Sequence, residues 1–494
     1  MTYQPDTRST RLESTLFDLS KPGCHGYAIP ASDIPAGSAT TRLPEKYRRG
    51  ASLALPELTE PMVVRHFTRL SQLNLSIDSH FYPLGSCTMK YNPKINDEVA
   101  GHPSFTGLHP MQDAADCQGA LEVIHSLQEM LCQFAGMDAF SLAPLAGAQG
   151  EFAGLLVIRA YLKSLGQTHR DTILVPDSAH GTNPATATLA GFRTVQIPSN
   201  NRGRVDTARL REALNDRVAG LMMTNPSTLG LFEYDILEIA GLVHQAGGQL
   251  YYDGANLNAI AGITRPGDMG FDVVHINLHK TFSTPHGGGG PGGGPVGVKA
   301  HLRDFLPTPW VVKSEKGEPP LVLRFDAPDS IGALSCFWGN FGVLIRAYVY
   351  LLHHGLDGIR DNSRYAVLNA NYLKALIREH YPAAYEGICM HEFVLNLKEA
   401  DIGKQRAMEV AKRLLDYGVH APTVYFPLVV PEAFMIEPTE TETPETLRAF
   451  AAILEKVREE CLTTPELVEE APWTTPVRRL DEVTAARNPV LVEK

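Results

Sequence analysis

The stretch from Phe271 to Val298 constrains this chain most, because it joins an apolar strand, a His-Lys pair and a long glycine loop in the order FDVVHINLHKTFSTPHGGGGPGGGPVGV. The β-branched run DVVHINL is typical of a strand buried in a parallel sheet. Such a strand would carry His279 and Lys280 to its carboxyl end, which is the edge where open α/β sheets bind their ligands. The sequence therefore predicts an α/β fold with Lys280 at a ligand site.

Lys280 is the predicted reactive residue. Most lysines are solvated surface charges, but a buried amine loses its charge readily and forms a Schiff base with an aldehyde such as pyridoxal phosphate. That cofactor needs a carboxylate near its ring nitrogen, and the predicted strand QLYYDGAN ends with Asp253, one strand-and-loop unit before Lys280. We therefore predict that Asp253 is the partner of the protonated ring nitrogen.

The glycine loop admits a second interpretation. Gly287, Gly289 and Gly292 have the spacing G-x-G-x-x-G, which opens a helix in a dinucleotide site. Here Pro291 and Pro295 interrupt the loop, the segment PVGVKA after it is typical of a strand, and the G-K-[ST] ending of a P-loop is missing. We interpret the glycines as positions of unusual backbone angles and close approach beside a ligand.

Polar clusters follow three predicted strands, and upstream of them the segment GAQGEFAGL opens a long helix predicted to begin near Gln149. The free N–H groups of a helix N-terminus can hold a phosphate without a lysine. Any single cluster could merely cap a helix, so the prediction of one site rests on their convergence with Lys280. The clusters are His180 with Thr182 and Asn183, Asn225 with Ser227 and Thr228, and Asp253 with Asn256.

The chain divides into three predicted parts. Residues 1–60 are rich in proline, glycine and polar residues, as expected of an extended arm. Strand and helix patterns alternate through residues 61–330, which predicts a large cofactor-binding domain with a mainly parallel sheet. Residues 331–494 combine a long helical segment, the predicted strands MHEFVLNL and VYFPLVV, an amphipathic helix and a charged tail. They predict a linking helix and a smaller C-terminal α/β domain.

Composition limits the partners of the chain. Across 494 residues, 44 basic and 55 acidic side chains give a net charge of -11, which argues against binding to nucleic acid or to an anionic membrane. Seven scattered cysteines form no C-x-x-C pair, so neither a disulfide framework nor a metal site is indicated. The N-terminal residues lack the apolar core of a signal peptide, and no stretch is long enough to span a membrane. We therefore expect a cytoplasmic location and a small molecule or a protein as partner.

Several stretches together resemble the P-proteins of the glycine cleavage system. These are FYPLGSCTMKYNP, GAQGEFAGL, SAHGTNPA, YYDGANLNAI, HINLHKTFSTPHGGGGPGGGPVGV, MHEFVL, APTVYFPL and MIEPTETE, which span residues 80 to 440. The His-Lys-Thr motif with its glycine loop is the most specific of them. The length and the arm-like start are similar to the second subunit of the two-chain bacterial form.

The resemblance implies a fold type I pyridoxal phosphate-dependent transferase that decarboxylates glycine and passes the aminomethyl group to the lipoyl arm of H-protein. It implies partnership with a homologous subunit 1 in a heterotetramer. By this analogy Lys280 binds the cofactor covalently, Asp253 keeps the ring nitrogen protonated and His180 stacks on the ring. The other implied cofactor-binding residues are Gly147, Ala148 and Gln149 at the phosphate, with Ser227, Thr228, Asn256 and His279 nearby.

Three alternatives stay open from the sequence. Another pyridoxal phosphate enzyme acting on a small amino acid, such as a desulfurase or an aminotransferase, would keep Lys280 and Asp253 but would not need a lipoyl carrier. A nucleotide-binding enzyme would need the glycine loop to open a helix. A non-catalytic interaction subunit would lack the reactive lysine. The residue that holds the glycine carboxylate is not identified, and no arginine is singled out by its neighbours.

Overall fold

A seven-stranded sheet forms the centre of the larger part of the molecule. The computed structural model describes residues 13–28, 30–31, 33, 44–51, 53–287, 289–315 and 317–491. The spatial order of the strands is β1-β7-β6-β5-β4-β2-β3, and β7 alone runs antiparallel to its neighbours. The strands are β1 (Ala139–Ser141), β2 (Thr172–Pro176), β3 (Arg193–Ile197), β4 (Val218–Thr224), β5 (Gln249–Gly254), β6 (Val273–Ile276) and β7 (Val296–Val298).

The inner strands are buried along their whole length. Every residue of β2, β4, β5 and β6 is buried, because helices cover both faces of a parallel sheet and leave no solvated side. In the register between β5 and β6, Asp253 lies opposite His275 and Gly254 lies opposite Ile276. The carboxyl ends of these two strands are therefore adjacent, as the predicted site requires.

The helices pack around this sheet and connect it to a second core. The long helix that the segment GAQGEFAGL was predicted to open begins at Gly147, two residues before the predicted start at Gln149. The helices are α1 (Leu16–Leu19), α2 (Glu60–Gln72), α3 (Lys94–Ala100), α4 (Pro103–Thr106), α5 (Gln118–Ala135), α6 (Gly147–Ser164), α7 (Thr182–Leu189), α8 (Thr207–Ala213), α9 (Ile236–Gln245), α10 (Leu278–Thr281), α11 (Phe341–Ile377), α12 (Ala407–Asp416), α13 (Pro444–Thr463), α14 (Pro465–Glu469) and α15 (Glu482–Arg487).

A hairpin leads from the large sheet toward the C-terminal part. It consists of β8 (Trp310–Lys313) and β9 (Leu321–Arg324), which pair antiparallel. Helix α11 follows, and its backbone breaks at Gly355, where φ is 61°. The linking helix starts at Phe341, ten residues after the predicted start of the C-terminal part at residue 331. Because α11 packs on both α5 and α13, it joins the large sheet to the second core.

The second core lies around a three-stranded sheet of β10 (Phe393–Asn396), β11 (Thr423–Val424) and β12 (Ala433–Ile436), in the order β10-β12-β11. Its side chains come mainly from α11, α12, α13 and these strands. The segment VYFPLVV contributes only its first residue, Val424, to a strand, since the chain turns after it, and β12 supplies the central strand instead. The predicted boundaries between the large and small domains stay a prediction.

The described part of the N-terminal arm lies against the helical layer. Glu13 accepts hydrogen bonds from the guanidinium of Arg69 in α2, at 2.7 Å for the shortest, and the backbone of Lys21 bonds to that of Glu57. Residues 1–12 and 34–43 of the predicted arm lie outside the described residues. Within the part of the chain that is described, no helix has both the length and the apolar character needed to cross a membrane.

Candidate active site

A cavity of ≈ 180 Å³ opens at the carboxyl ends of β4, β5 and β6. Eight of the ten residues that the sequence assigned to cofactor binding line it, and their role in cofactor binding stays a prediction. Those eight residues are Gly147, Ala148, His180, Thr228, Asp253, Asn256, His279 and Lys280. The lining also includes Thr182 of the His180 cluster and five residues that the sequence analysis did not single out, namely Ser86, Glu151, Thr224, Ala255 and Asn277.

Lys280 lies in the short helix α10, and not at the strand end itself. Strand β6 ends at Ile276, and Asn277 then precedes the helix. The carbonyl of Asn277 accepts the backbone N–H of Lys280 at 3.0 Å. This turn therefore fixes the direction in which the Lys280 side chain leaves the sheet edge. The sequence analysis did not predict the helix, because four residues are too few to show helical periodicity.

Asp253 is the buried carboxylate of the site, with 2 % of its surface exposed. Its Oδ2 accepts the amide of Asn183 at 2.7 Å and its Oδ1 accepts the N–H of Ala255 at 3.0 Å. Burial by itself raises the pKa of Asp253, but the charge interaction with His275, these hydrogen bonds and the positive charge of Lys280 outweigh burial and lower the pKa. Asp253 therefore carries a negative charge inside the sheet edge.

Glu151 is a second buried carboxyl that the sequence analysis did not identify. Its Oε1 accepts the hydroxyl of Thr182 at 2.9 Å, and its Oε2 accepts the amide of Asn183 at 3.2 Å. The same amide thus bonds to both carboxyls. Burial and the neighbouring charge of Asp253 raise the pKa of Glu151 to about 7. In the sequence Glu151 is one of many glutamates on a helix, so no local pattern marks it.

The N-terminus of α6 faces the cavity without a side-chain cap. Ala146 in the cap position makes no side-chain hydrogen bond, and Gly147 and Ala148 line the cavity. A Cβ on Gly147 would lie 2.4 Å from Oδ1 of Asn277, so a larger residue at this position would have to displace the side chain of Asn277. Gln149 instead accepts the N–H of Leu145 and donates to the carbonyl of Leu334, which keeps its side chain occupied outside the cavity lining.

His180 lies at the start of α7 beside the cavity. Its Nδ1 is 2.9 Å from the hydroxyl of Thr182, and its ring meets that of Phe426 edge-on, with 5.3 Å between centroids. Burial lowers the pKa of His180, and the charge of Asp253 opposes this shift only in part. The imidazole is therefore neutral near pH 7, which suits a ring that packs on a flat ligand.

The segment after β4 separates two residues that the sequence grouped together. The hydroxyl of Thr228 donates to the carbonyl of Ser178 and lines the cavity. Ser227 faces a smaller neighbouring cavity, where its Oγ accepts the N–H of Leu229 at 3.3 Å. Asn256 lines the main cavity and donates to the carbonyl of Pro226 at 3.0 Å. Thr228 lines the smaller cavity as well, whereas Ser227 is absent from the lining of the main one, a difference that a sequence pattern cannot reveal.

The glycine loop curves past His279 and does not open a helix. Gly287 and Gly289 have φ values of 58° and 105°, which favour glycine, and a Cβ on Gly294 would lie 2.1 Å from the carbonyl oxygen of Ala146. The loop thus has unusual backbone angles and approaches other backbone closely, and its position beside a ligand stays a prediction. Burial, with the charge of Lys280, lowers the pKa of His279 to about 3, so this ring is uncharged.

Comparison with known proteins identifies the family. A family profile described as "Glycine dehydrogenase, C-terminal domain" matches residues 362–473. The probable glycine dehydrogenase (decarboxylating) subunit 2 of Caldanaerobacter subterraneus subsp. tengcongensis is 57 % identical over 478 residues, covering 97 % of this chain and 98 % of the relative. That of Pyrococcus abyssi is 53 % identical over 486 residues, covering 98 % and 96 %. The chain belongs to the glycine dehydrogenase (decarboxylating) subunit 2 family.

Solved structures with low sequence identity share the fold of this family member. A glycine decarboxylase (P-protein) of the glycine cleavage system, in inhibitor-bound form, matches with a TM-score of 0.73 at 21 % identity, over 86 % of this chain and 95 % of that chain. The glutamate decarboxylase of Lactobacillus brevis matches with a TM-score of 0.65 at 14 % identity, over 86 % and 97 %. The predicted fold type I architecture, with a mainly parallel sheet in an α/β protein, is confirmed.

The site can therefore be described as that of a glycine dehydrogenase subunit 2 family member. The profile match at residues 362–473 covers the C-terminal part of α11 and the whole three-stranded sheet. The cavity and its lysine lie outside that segment, but the near full-length relatives include them. Family membership thus applies to both parts of the molecule.

Proposed function

We propose that this chain is the lysine-bearing subunit of a glycine dehydrogenase (decarboxylating), which removes CO2 from glycine with pyridoxal phosphate as cofactor. The observation that carries the proposal is the meeting of Lys280, Asp253 and the uncapped N-terminus of α6 at one cavity. An amine, a carboxylate and an anion site are the three groups that this cofactor requires. The names and identities of the relatives support the same activity.

The residues of the cavity fit the cofactor in charge and shape. Gly147 and Ala148, at the N-terminus of α6, would hold the phosphate. Asp253 would pair with the ring nitrogen, and His180 would lie on the ring face. Thr228 would form part of the wall of the site. Among the described residues, Oδ1 of Asn277 and Oγ1 of Thr224 line the cavity region and are buried without hydrogen-bond partners. Such orphaned atoms indicate a polar ligand.

When bound, pyridoxal phosphate supplies an electron sink for the pair left by the departing CO2. The chain's residues determine how strong that sink is. Asp253 keeps a negative charge where the ring nitrogen must stay protonated, and burial strengthens the interaction by excluding water. Lys280 would hold the cofactor through its side-chain amine. His180 and His279 stay neutral and add no competing charge.

The proposed partners follow from the family name and from the reaction. Glycine is the substrate, a homologous subunit 1 completes the enzyme, and lipoylated H-protein accepts the aminomethyl group. A desulfurase or an aminotransferase would share Lys280 and Asp253 but would act without the lipoyl carrier. Release of labelled CO2 from carboxyl-labelled glycine, measured with and without that carrier, separates these functions.

We also propose that the enzyme works in the cytoplasm. All seven cysteines are free in the described residues, and three of them are buried. Free cysteines spread over a chain of this length are typical of a reducing compartment.

The proposal is tested by the site of cofactor attachment. After incubation with pyridoxal phosphate and reduction by borohydride, a pyridoxyl adduct is expected on the peptide that contains Lys280, as measured by mass spectrometry. Lys280→Ala should abolish that adduct and the decarboxylation. Lys94→Ala is the matched control, since Lys94 has a side chain that is 60 % exposed and pairs with Asp78. An adduct of normal yield in Lys280→Ala would show that another lysine holds the cofactor.

A further inference from the structure

A second lysine is buried against the short helix that carries Lys280. Lys90 does not line the Lys280 cavity, and only 3 % of its surface is exposed. Its ammonium donates to the carbonyl of Thr281 at 3.0 Å, to Oε1 of Glu440 at 3.0 Å and to the hydroxyl of Tyr350 at 3.3 Å. A lysine ammonium has three N–H donors, so each of them has an acceptor inside the protein.

The bond to Thr281 connects Lys90 directly to the helix of Lys280. Thr281 follows Lys280 in the chain and is the last residue of α10, and it is buried. The last carbonyls of a helix have no donor inside that helix, and a buried carbonyl without a partner is costly. Asn277 bonds to the backbone at the start of α10. Lys90 therefore supplies the matching contact at its end.

The same segment also contacts the chain just after α10. The hydroxyl of Ser283 donates to Oδ1 of Asn92 at 3.0 Å and accepts the amide of Asn96 at 2.8 Å. Ser283 is 0 % exposed. Residues 90–96 thus bond to the end of α10 and to the residue two positions beyond it, so the turn that bears Lys280 is held on its C-terminal side by buried side chains.

The other two partners of Lys90 belong to the linking helix and to the second core. Tyr350 lies in α11 before the break at Gly355, and its hydroxyl also accepts the amide of Asn362, beyond the break, at 2.8 Å. Glu440 lies between β12 and α13. Lys90 therefore joins α10 to elements of both parts of the molecule.

The partners of Lys90 keep it charged although it is buried. Burial lowers the pKa of Lys90, but the charge of Glu440, together with Tyr350 and the hydrogen bonds to both, outweighs burial and raises the pKa. The Nζ atom of Lys90 also lies 4.8 Å from the ring centroid of Tyr350, which adds a cation–π attraction. A structural ion pair would account for Glu440 and Tyr350, but the bond to Thr281 is a contact beyond that pair.

We propose that Lys90 is a positioning residue for Lys280, and that it acts through its hydrogen bond to the carbonyl of Thr281, which fixes the direction of α10. This inference rests on the proposed function only in taking Lys280 as the residue that holds the cofactor. A reacting amine must be held in the productive direction to react quickly. Without the bond to Thr281, α10 is free at its C-terminal end and the amine of Lys280 takes more directions.

Two substitutions separate the hydrogen bond from the ion pair. Lys90→Met removes the ammonium with all its bonds. Glu440→Gln, the matched control, removes the ion pair but leaves an amine that still donates to Thr281. Loss of one member of a buried pair is strongly destabilising, so the double variant Lys90→Met/Glu440→Gln, which leaves no unpaired charge, keeps the test usable if Lys90→Met alone unfolds.

The first measurement is hydrogen exchange in the chain without cofactor, read by mass spectrometry on the peptide that spans α10. The amides of Lys280 and Thr281 bond to the carbonyl of Asn277. They should exchange on the order of tenfold faster in Lys90→Met and in the double variant than in the wild type or Glu440→Gln, because a hydrogen bond from a charged donor is lost. The peptide of β5 should be unchanged in the double variant.

A purely structural ion pair gives the opposite order. The two single variants would then loosen α10 alike, and the double variant would recover the exchange rate of the wild type. Either of these results would overturn the proposal.

The second measurement is the rate at which borohydride traps a pyridoxyl adduct on Lys280. It should fall on the order of tenfold in the double variant and stay unchanged in Glu440→Gln, because only the double variant loses the bond to Thr281. Equal trapping rates in the double variant and the wild type would overturn the proposal. If the wild type forms no adduct on Lys280 but exchange in α10 follows the expected order, the proposed function fails and the anchoring of α10 by Lys90 stands.

Discussion

At the scale of single residues, the side-chain amide of Asn183 bonds to two carboxyl groups whose pKa values are shifted in opposite directions. Asn183 donates from the same nitrogen to Asp253 at 2.7 Å and to Glu151 at 3.2 Å. The pKa of Asp253 is lowered, whereas that of Glu151 is raised to about 7. Two adjacent carboxyls do not readily ionise together, so the proton stays on Glu151 and the charge on Asp253. The negative charge is thereby placed where the ring nitrogen is expected.

The raised pKa of Glu151 predicts how stability depends on pH in the cofactor-free protein. The folded state binds this proton more tightly than the unfolded state, so its contribution to stability is present below pH 4.5 and is lost as pH rises to about 7. Between pH 5 and 8 the free energy of unfolding of the wild type should fall by about 2–3 kcal/mol more than that of Glu151→Gln. Denaturant unfolding at a series of pH values measures this difference.

Glu122→Gln is the control for that series, because Glu122 is exposed on α5. Its pH dependence should match that of the wild type. Parallel curves for the wild type and Glu151→Gln across this pH range would mean that Glu151 is ionised throughout and does not hold the proton.

At the scale of elements, the site depends on how closely α6 approaches α10. Gly147 begins α6, and Asn277 immediately precedes α10, which carries Lys280. The predicted Cβ of a substituted Gly147 would lie 2.4 Å from Oδ1 of Asn277 and 3.0 Å from its Cγ. A side chain at position 147 therefore has to displace the side chain of Asn277, which lines the cavity between the expected phosphate site and Lys280.

Gly147→Ala should weaken the binding of pyridoxal phosphate by on the order of tenfold or more, since overpacking of this kind costs about 1–3 kcal/mol. Gly181→Ala is the matched control: Gly181 also stands at a helix N-terminus, but a Cβ there has nothing within 4 Å. Absorbance titration with the cofactor gives both dissociation constants. If the two variants bind equally well, the close approach of α6 and α10 is not needed for the cofactor.

At the scale of the whole molecule, apolar side chains remain exposed on the described part of the arm and on α11. Tyr27 is 82 % exposed and Leu55 is 68 % exposed in the arm, and Leu356 of α11 is 61 % exposed. Single exposed apolar side chains are ordinary on protein surfaces, so the proposal that a homologous subunit 1 completes the enzyme rests on the family of the relatives.

The isolated chain should therefore bind pyridoxal phosphate but exchange the glycine carboxyl slowly. Adding subunit 1 should raise the exchange of labelled bicarbonate into glycine, measured with lipoylated H-protein, by on the order of tenfold or more, because closing the site excludes water that weakens its electrostatics. Subunit 1 alone is the control and should be inactive. Equal exchange with and without subunit 1 would show that this chain is a complete enzyme.

The sequence by itself determined the sheet edge and its lysine. The positions of β5 and β6 could be predicted, because the apolar run before Lys280 and the strand that ends with Asp253 are patterns of neighbouring residues. The specific motifs around His180 and the glycine loop likewise predicted the family, and the relatives confirm it.

Only the tertiary structure decided which other residues meet at the site. Glu151 lies 102 residues before Asp253, and Ser86 contacts Glu392 across 306 positions. Ser227 and Gln149 belong to the right segments but point elsewhere. Backbone periodicity depends on neighbouring residues, whereas side-chain direction and long-range contact depend on packing between distant segments. For that reason the strands could be predicted, but the shared amide of Asn183 and the bond of Lys90 to Thr281 could not.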